Sequence, residues 1–444
     1  MKKLVFTILA IQCIVLLNAQ SKAEDVKSFT LANGMKVMVL EDHSIPNANM
    51  YLFWKVGSRN EYPGITGLSH FFEHMMFNGS KKYGPKLFDR TMEASGGSNN
   101  AYTTENVTVY TDWFPSSSLE TIFDLEADRI GNLALDPKMV ESERGVVLSE
   151  RSTGLENSNF RNLSEEVKAT AFFAHPYRWS VIGYESDIKN WTIEDLQTYF
   201  DTYYAPNNAV VVISGDVTLE GVKKLAKQYF EPISSKATPR KVHTVEPEQR
   251  GEKRVMVHKP VSTPNVLLAY HVPETKHPDY YALDVLNSIL SNGKSSKLYS
   301  YLVDENQLAT SVFSYMPESF DPNLFYIYGV ASQDVNASQL EAGMLSVLDD
   351  VMENGITAKE LQKVKNQKLM EFYQTLETID GKSNTLGTYE LYFGDYKKMY
   401  TAPDAYEKVT VEDIKRVAKI YFTKNNRTVG VLQNNELEIS TDSK

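Results

Sequence analysis

Apolar residues follow two different periods along this 444-residue chain. Residues 29–42, FTLANGMKVMVLED, alternate apolar and polar positions around an Asn-Gly pair, which predicts a β-hairpin. Residues 116–133 and 138–152 repeat their apolar positions with the period of a helix. The short apolar run AVVVISG, residues 209–215, is typical of a buried strand. Strands and helices mixed in this way predict an α+β fold.

The pattern occurs twice. TIEDLQTYFDTYYAPNNAVVVISGD begins at Thr192, and the similar segment TVEDIKRVAKIYFTKNNRTVGVLQN begins at Thr410. The same offset relates Pro46-Asn47 to Pro264-Asn265, each of which precedes an apolar segment. Two matches at one offset predict an internal duplication. We therefore expect two homologous α/β-sandwich domains, each with a mixed sheet packed by helices.

The polar, proline-containing stretch near residue 240 divides the two copies. We predict an N-terminal domain over residues 24–235, a linker over 236–252 and a C-terminal domain over 253–440. A length of 444 residues is consistent with two or three domains.

The first 23 residues have the pattern of a secretory signal peptide. Lys2 and Lys3 precede an apolar run that ends at Leu17, and the small residues Ala19 and Ala23 offer cleavage points. The run is short for a transmembrane span, although an uncleaved anchor is the alternative interpretation. We expect cleavage, a bacterial periplasmic location and no stable membrane span in the mature protein.

Composition narrows the possible partners and metal ligands. Hydrophobic residues make up 42% and charged residues 23%, which is typical of a globular protein. A net charge of −11 argues against nucleic acid and suits neutral or basic peptides. Cys13 is the single cysteine and lies within the signal segment, so a metal site in the mature protein must use His, Asp or Glu.

The segment GLSHFFEHMMFNGS, residues 67–80, contains the strongest chemical signal. On a helix, His70 and His74 lie on one face, with Glu73 beside them. Two imidazoles and one further carboxylate suit a zinc ion that keeps a position open for water. A solvated helix face would explain the charges, but not the neighbouring Phe71 and Phe72. Burying such polar groups without partners is costly, so a bound metal is the better explanation.

A third ligand is expected from another helix, and the acidic segment MVESERGVVLSERS offers candidates. Glu143 and Glu150 are two helical turns apart and share a helix face. A solvated acidic face is the alternative interpretation, but the apolar residues before Glu150 disfavour it.

The duplication provides an independent comparison. The second copy has other residues at the positions equivalent to His70, Glu73 and His74, and these cannot form the same metal site: Ser288, Ser291 and Asn292. No histidine follows His277. We therefore expect the second domain to lack a metal site.

Several segments together resemble the pitrilysin and mitochondrial-processing-peptidase family of HxxEH metallopeptidases, the inverzincins. They are GLSHFFEHMMFNGS, GGSNNAYTTENVTVY, ESERGVVLSER, AHPYRWSVIGY and SNGKSSKLYSYL. The resemblance covers nearly all of the chain after the signal segment. The separation of His74 and Glu150 along the chain also agrees with the family's spacing between the motif and its distal glutamate.

The resemblance implies a role for each motif residue. It implies that His70, His74 and Glu150 bind one Zn²⁺ and that Glu73 is the general base for peptide hydrolysis. It implies that Glu143 supports catalysis without binding the metal.

The resemblance also implies a peptide-binding edge strand in SNNAYTT, with Asn99, Asn100, Ala101 and Tyr102 as contact residues. An ordinary edge strand, with the asparagines in a turn, is the alternative. Phe77 resembles a residue that lines the pocket next to the scissile bond, although a core phenylalanine fits equally well.

The implied function is a zinc-dependent endopeptidase for peptides or unfolded segments. The sequence departs from the family at two positions. Active members have an arginine and a tyrosine in the partner half, and this chain has Val303 and Thr310 at the matching positions. Neither side chain can stabilise negative charge as a guanidinium or phenol does. We expect a heterodimer with a homologous subunit that lacks HxxEH and carries the Arg/Tyr pair. The alternatives are a homodimer or monomer with altered chemistry, and a non-catalytic peptide-binding or scaffold subunit.

Overall fold

A computed structural model describes residues 22–434. The first half of the chain builds a six-stranded sheet in the order β1-β2-β6-β3-β5-β4. Strands β2 and β6 are parallel, and the other neighbours are antiparallel. The strands are β1 (Val26–Thr30), β2 (Lys36–Glu41), β3 (Asn47–Trp54), β4 (Ser98–Thr103), β5 (Thr108–Pro115) and β6 (Ala209–Gly215). The predicted hairpin is confirmed as β1 and β2, with Gly34 at a positive φ of 88° in the turn.

The helices of the first half are α1 (Leu68–Met75), α2 (Leu87–Ala94), α3 (Leu119–Asn132), α4 (Pro137–Asn157), α5 (Asn159–Ala171), α6 (Glu185–Asn190), α7 (Ile193–Tyr203) and α8 (Leu219–Leu225), which a π-turn at Ala226–Phe230 extends. All of these except α5 pack one face of this sheet around an apolar core. Helix α4 begins where the sequence favours a start, since Asp136 caps it and Pro137 occupies its first position.

The second half repeats the plan in a five-stranded sheet, ordered β7-β11-β8-β10-β9. Its strands are β7 (Lys253–His258), β8 (Asn265–Val272), β9 (Ala309–Tyr315), β10 (Asn323–Ala331) and β11 (Arg427–Gln433). Its helices are α9 (Tyr280–Ser291), α10 (Lys297–Tyr299) with a π-turn at Ser300–Glu305, α11 (Ala337–Asn354), α12 (Ala358–Thr375), α13 (Ile379–Tyr392), α14 (Ala402–Glu407) and α15 (Val411–Tyr421). Short 3₁₀ helices lie at Ser58–Asn60, Ser116–Ser118, Pro176–Arg178, Pro206–Asn208, Tyr396–Thr401 and Lys424–Asn426.

Equivalent elements of the two halves keep the offset of the sequence repeat: β3 and β8 begin at Asn47 and Asn265, and α7 and α15 follow the caps Thr192 and Thr410. Both threonines form capping boxes, with an aspartate three residues on. The predicted fold class, two α/β-sandwich halves with mixed sheets, is confirmed.

The predicted domain limits stay a prediction. The segment 231–252, which includes the expected linker, contains neither helix nor strand. Most of the predicted signal segment 1–23, and residues 435–440 of the second predicted domain, lie outside the described residues. Within residues 22–434, no helix is long and apolar enough to cross a membrane.

One helix from each half crosses to the sheet of the other half. Leu163 and Val167 of α5 pack on the second sheet, where an added Cβ at Gly430 would lie 2.4 Å from Val167. Helix α13 packs in return on the first sheet, where an added Cβ at Gly387 would lie 2.0 Å from the ring of Phe53. Glycine permits the close approach at both positions. We call this arrangement, in which each half covers the sheet of the other with one helix, the helix exchange. It joins the two halves through apolar surfaces.

Candidate active site

Helix α1 carries the histidine motif and is fixed at its first turn. Gly67 has a φ of 91°, and a Cβ there would lie 2.4 Å from the carbonyl oxygen of Ile182. The buried carboxylate of Glu61 accepts hydrogen bonds from the backbone N–H groups of Gly67 and Ser69, at 2.7 and 2.8 Å. Burial raises the pKa of Glu61 to about 8, so Glu61 stabilises the position of α1 by accepting hydrogen bonds from N–H groups that have no partner within the helix.

The structure brings His70, His74 and Glu150 together. Their ligand atoms lie within 4.8 Å of one another. The Nε2 atoms of His70 and His74 lie 3.6 and 3.5 Å from the same oxygen, Oε2 of Glu150. Helix α1 supplies both imidazoles, and α4 supplies the carboxylate.

These separations suit a zinc ion. Ligand atoms at about 2.0–2.1 Å from a tetrahedral ion lie roughly 3.3 Å from each other. The observed 3.5 and 3.6 Å are close to that value, and the two nitrogens and the oxygen face a common point. Two histidines and one carboxylate are also a donor set that catalytic zinc uses.

Glu143 lies behind His74 and not among the ligands. Its Oε1 accepts a hydrogen bond from Nδ1 of His74 at 2.7 Å, and its Oε2 accepts one from Nδ2 of Asn78 at 2.7 Å. These contacts leave Nε2 of His74 directed at the metal position. A carboxylate on the far nitrogen of a ligating histidine fixes its tautomer and orientation.

The two imidazoles differ electrostatically before metal binds. Burial lowers the pKa of His70 to about 4. Burial also acts to lower the pKa of His74, but hydrogen bonds with Glu143 and Glu150 outweigh it and raise that pKa to about 9. At neutral pH, therefore, a metal finds a neutral His70 and must displace a proton from His74.

Glu73 faces β4 beside the ligands. Its Oε2 accepts a hydrogen bond from the hydroxyl of Thr103 at 2.6 Å. Burial raises the pKa of Glu73, while the Thr103 hydrogen bond acts in the opposite direction. A carboxylate whose pKa is moved towards neutrality is a better general base.

Cavities adjoin the candidate metal ligands. A cavity of about 400 Å³ is lined by Glu73, His74, Phe77, Asn78, Pro85, Lys86, Asp89, Met139 and Glu143. A cavity of about 330 Å³ adjoins His70, Glu150, Thr103 and Arg161. We call them the Phe77 cavity and the Arg161 cavity.

A buried ion pair packs against Phe77, which lines the Phe77 cavity. Arg129, 1% exposed, donates from Nε to Glu126 at 2.7 Å, and its guanidinium lies 5.6 Å from the ring centre of Phe77. Burial and the neighbouring Glu126 raise the pKa of Asp112 well above its usual range, which keeps that carboxyl protonated. The charges of Arg129 and Glu126 then balance in a site without water access.

The predicted peptide-contact residues Asn99, Asn100, Ala101 and Tyr102 all lie in β4, the strand at one edge of the first sheet. The asparagines are within the strand and not in a turn. Strand β4 pairs with β5 and contacts α1. The Tyr102 hydroxyl donates to Asn384 of α13 at 3.2 Å, which links this edge to the other half.

Val303 and Thr310 lie in the second half, away from these contacts. Val303 packs against the second core, and the hydroxyl of Thr310 donates to the carbonyl of Val330 within the second sheet. Neither residue lines the Phe77 or the Arg161 cavity.

Three residues that support the site were not predicted from the sequence: Glu61, Asn78 and Thr103. Asn78 follows His74 by about one helical turn, so helical spacing could have indicated it. Thr103 belonged to the predicted edge strand, but only packing places its hydroxyl on Glu73.

Known protein families and proteins match this chain over most of its length. Residues 36–183 match the family described as insulinase (peptidase family M16), and residues 190–368 match the one described as peptidase M16 inactive domain. The chain is 33% identical over 427 residues to the zinc protease PqqE of Helicobacter pylori, covering 94% of this chain and 95% of that protein. It is 26% identical to the mitochondrial-processing peptidase subunit beta of Lentinula edodes, covering 88% and 86%.

A solved structure has the same fold. The crystal structure of a protease from Helicobacter pylori superposes with a TM-score of 0.88 at 33% identity, covering 92% of this chain and 99% of that one.

Proposed function

Because this chain belongs to peptidase family M16, we propose that it is a zinc-dependent endopeptidase that hydrolyses peptides or unfolded segments. The observation that carries the proposal is the convergence of His70, His74 and Glu150 beside the carboxylate of Glu73. A protein that only bound peptides would have no use for a base next to a metal position.

Each residue of the site has its own role in the proposed peptide hydrolysis. Zinc, when bound by His70, His74 and Glu150, would polarise the scissile carbonyl and make water more acidic. Glu73 accepts the proton of the attacking water and passes it to the leaving amine. Thr103 donates to one oxygen of Glu73, which leaves the other oxygen to accept that proton.

Substrate binding in this proposal uses the exposed edge of β4. An extended peptide adds to the edge strand through backbone hydrogen bonds, which are independent of sequence. Asn99, Asn100, Ala101 and Tyr102 provide that edge, and Phe77 provides an apolar wall for a side chain beside the scissile bond. This arrangement favours extended peptides over folded proteins.

The proposal also includes a partner subunit in the periplasm. Val303 and Thr310 cannot stabilise an oxyanion, so a homologous subunit with arginine and tyrosine at these positions completes the site. The location rests on the signal-like segment 1–23.

The test is hydrolysis of a fluorogenic peptide library by the mature chain alone, by the candidate partner alone and by their mixture. We expect turnover in the mixture and little from either chain. The Glu73→Gln variant should keep its zinc, measured by atomic absorption, and lose turnover by about 10²–10⁴-fold.

Each other outcome rejects part of the proposal. Full turnover from the mature chain alone would exclude the heterodimer. Unchanged turnover in Glu73→Gln, or a wild-type protein that binds no zinc and cleaves nothing in the mixture, would favour the non-catalytic scaffold.

A further inference from the structure

Arg161 is a charged residue at the metal site that the proposed chemistry does not use. It lies in the first turn of α5 and is exposed. Its guanidinium is directed back to α4, where an added Cβ at Gly154 would lie 2.9 Å from Nη1. Gly154 follows Glu150 by one helical turn on the same face, so the guanidinium lies one turn beyond a predicted zinc ligand.

The Arg161 cavity places Arg161 beside the metal position, because His70, Glu150 and Gly154 line it as well. Glycine at position 154 leaves room for the guanidinium beside the ligands, because a side chain there would meet it.

The other cations of the Arg161 cavity already have anionic partners. Arg151 forms an ion pair with Glu165 at 2.6 Å, and Lys168 forms one with Glu105. Among residues 22–434, no side chain accepts a hydrogen bond from the Arg161 guanidinium. When Glu150 binds a metal, it is not available to pair with Arg161. Among the described residues that line this cavity, Arg161 is then the cationic side chain without an anionic partner.

We propose that Arg161 binds a carboxylate of the peptide substrate, so that the enzyme prefers an acidic group on the side of the scissile bond that faces the Arg161 cavity. This inference rests on the proposed function. The cavity adjoins His70 and the Thr103 end of β4, so a peptide paired along β4 carries its side chains to it. Guanidinium binds carboxylate through two parallel hydrogen bonds, which no neutral side chain reproduces.

The carboxylate that binds Arg161 can belong to either of two groups of the peptide: an aspartate or glutamate side chain, or the free C-terminus of a short peptide. A peptide series can distinguish them. Fluorogenic peptides with one scissile bond would carry Asp, Asn or Lys at each of three positions on either side, each made with a free and with an amidated C-terminus. They would be assayed with the active assembly that contains the full mature chain.

Three variants make the test specific. We expect Arg161→Gln to lower kcat/KM about fivefold for acidic peptides, as expected for an exposed ion pair, and to leave Asn peptides unchanged. Arg161→Glu should reverse the preference towards Lys at the same position. Arg90→Gln, at an exposed arginine of α2 that lines neither cavity, should retain the wild-type preference.

A binding measurement separates this inference from catalysis. In the Glu73→Gln background, fluorescence anisotropy should show tighter binding of Asp than of Asn peptides, and Arg161→Gln should remove the difference. Zinc content should be equal in all variants. A preference for Asp that survives Arg161→Gln, or no preference in a wild-type enzyme that does cleave the series, would overturn the inference. Absence of any cleavage would instead reject the proposed function, while the anisotropy comparison would still decide the role of Arg161.

Discussion

His74 donates from Nδ1 to Oε1 of Glu143 over 2.7 Å, while its Nε2 faces Oε2 of Glu150 at 3.5 Å. The two carboxylates therefore occupy opposite sides of one imidazole. Glu150 is left for the metal, and Glu143 orients the ring and stabilises its protonated form. Glu143 and Glu150 share a helix face, yet they take different roles because His74 stands between them.

The first prediction concerns zinc binding to the metal-free protein. His74, with a pKa of about 9, is protonated at pH 7, and His70, with a pKa of about 4, is not. Zinc binding should therefore release one proton. The apparent zinc affinity should rise about tenfold per pH unit through neutral pH and level off as pH passes about 9. Titration calorimetry in buffers of different ionisation enthalpy measures the release.

Glu143→Gln is the comparison for this prediction. It removes one of the two carboxylates that raise the pKa of His74, so proton release at pH 7 should fall. Equal proton release in both proteins would contradict the role assigned to Glu143.

The second prediction concerns Thr103 and the general base. The Thr103 hydroxyl lowers the pKa of Glu73 against the effect of burial. Thr103→Val should move the acidic limb of the kcat/KM profile to higher pH, because Glu73 is then protonated over a wider range. Turnover on the acidic limb should fall about fivefold, and the loss should shrink as pH rises and Glu73 is ionised in both proteins. Thr103→Ser keeps the hydroxyl and should behave as wild type, and a shift in that variant would argue against this hydrogen bond.

The third prediction concerns the ion pair under Phe77. Glu126→Leu removes the carboxylate that pairs with the buried Arg129 and should lower the free energy of unfolding by about 1–3 kcal/mol, because Asp112, whose pKa Glu126 raises, can then ionise beside Arg129 and replace part of the lost interaction. The double variant Glu126→Leu/Arg129→Met removes both charges and should recover much of that loss. Urea unfolding measures both. A double variant less stable than Glu126→Leu would mean that Arg129 contributes mainly through its contacts with the aromatic rings.

The fourth prediction concerns the helix exchange between the halves. In Gly387→Ala the new methyl group would lie 2.0 Å from the Phe53 ring, which should cost about 1–3 kcal/mol in the free energy of unfolding. Gly145→Ala is the matched control, since an added Cβ in α4 meets no other atom within 4 Å. That control should gain up to about 1 kcal/mol from helix propensity. Equal thermal stability of the two variants would contradict tight packing of α13 on the first sheet.

The sequence by itself determined which features are local or repeated. The i, i+4 spacing of His70 and His74 places them on one helix face, because backbone geometry sets that relation without any tertiary contact. The internal repeat predicted the two sheets, since equivalent segments with the same pattern bury the same faces. The resemblance added Glu150 from its distance along the chain to His74.

Tertiary packing decided the relations between elements distant in the chain. Thr103 reaches Glu73 because β4 lies against α1, and Arg161 reaches the face of Glu150 because α5 turns back along α4. Helices α5 and α13 cover the sheet of the opposite half, which no local pattern indicates. Apolar spacing shows that a helix face is buried, but it does not show against which sheet. Which sheet a helix contacts depends on how the two surfaces fit together. Gly387 and Gly430 have no side chain, so Phe53 and Val167 can come into contact with the backbone there.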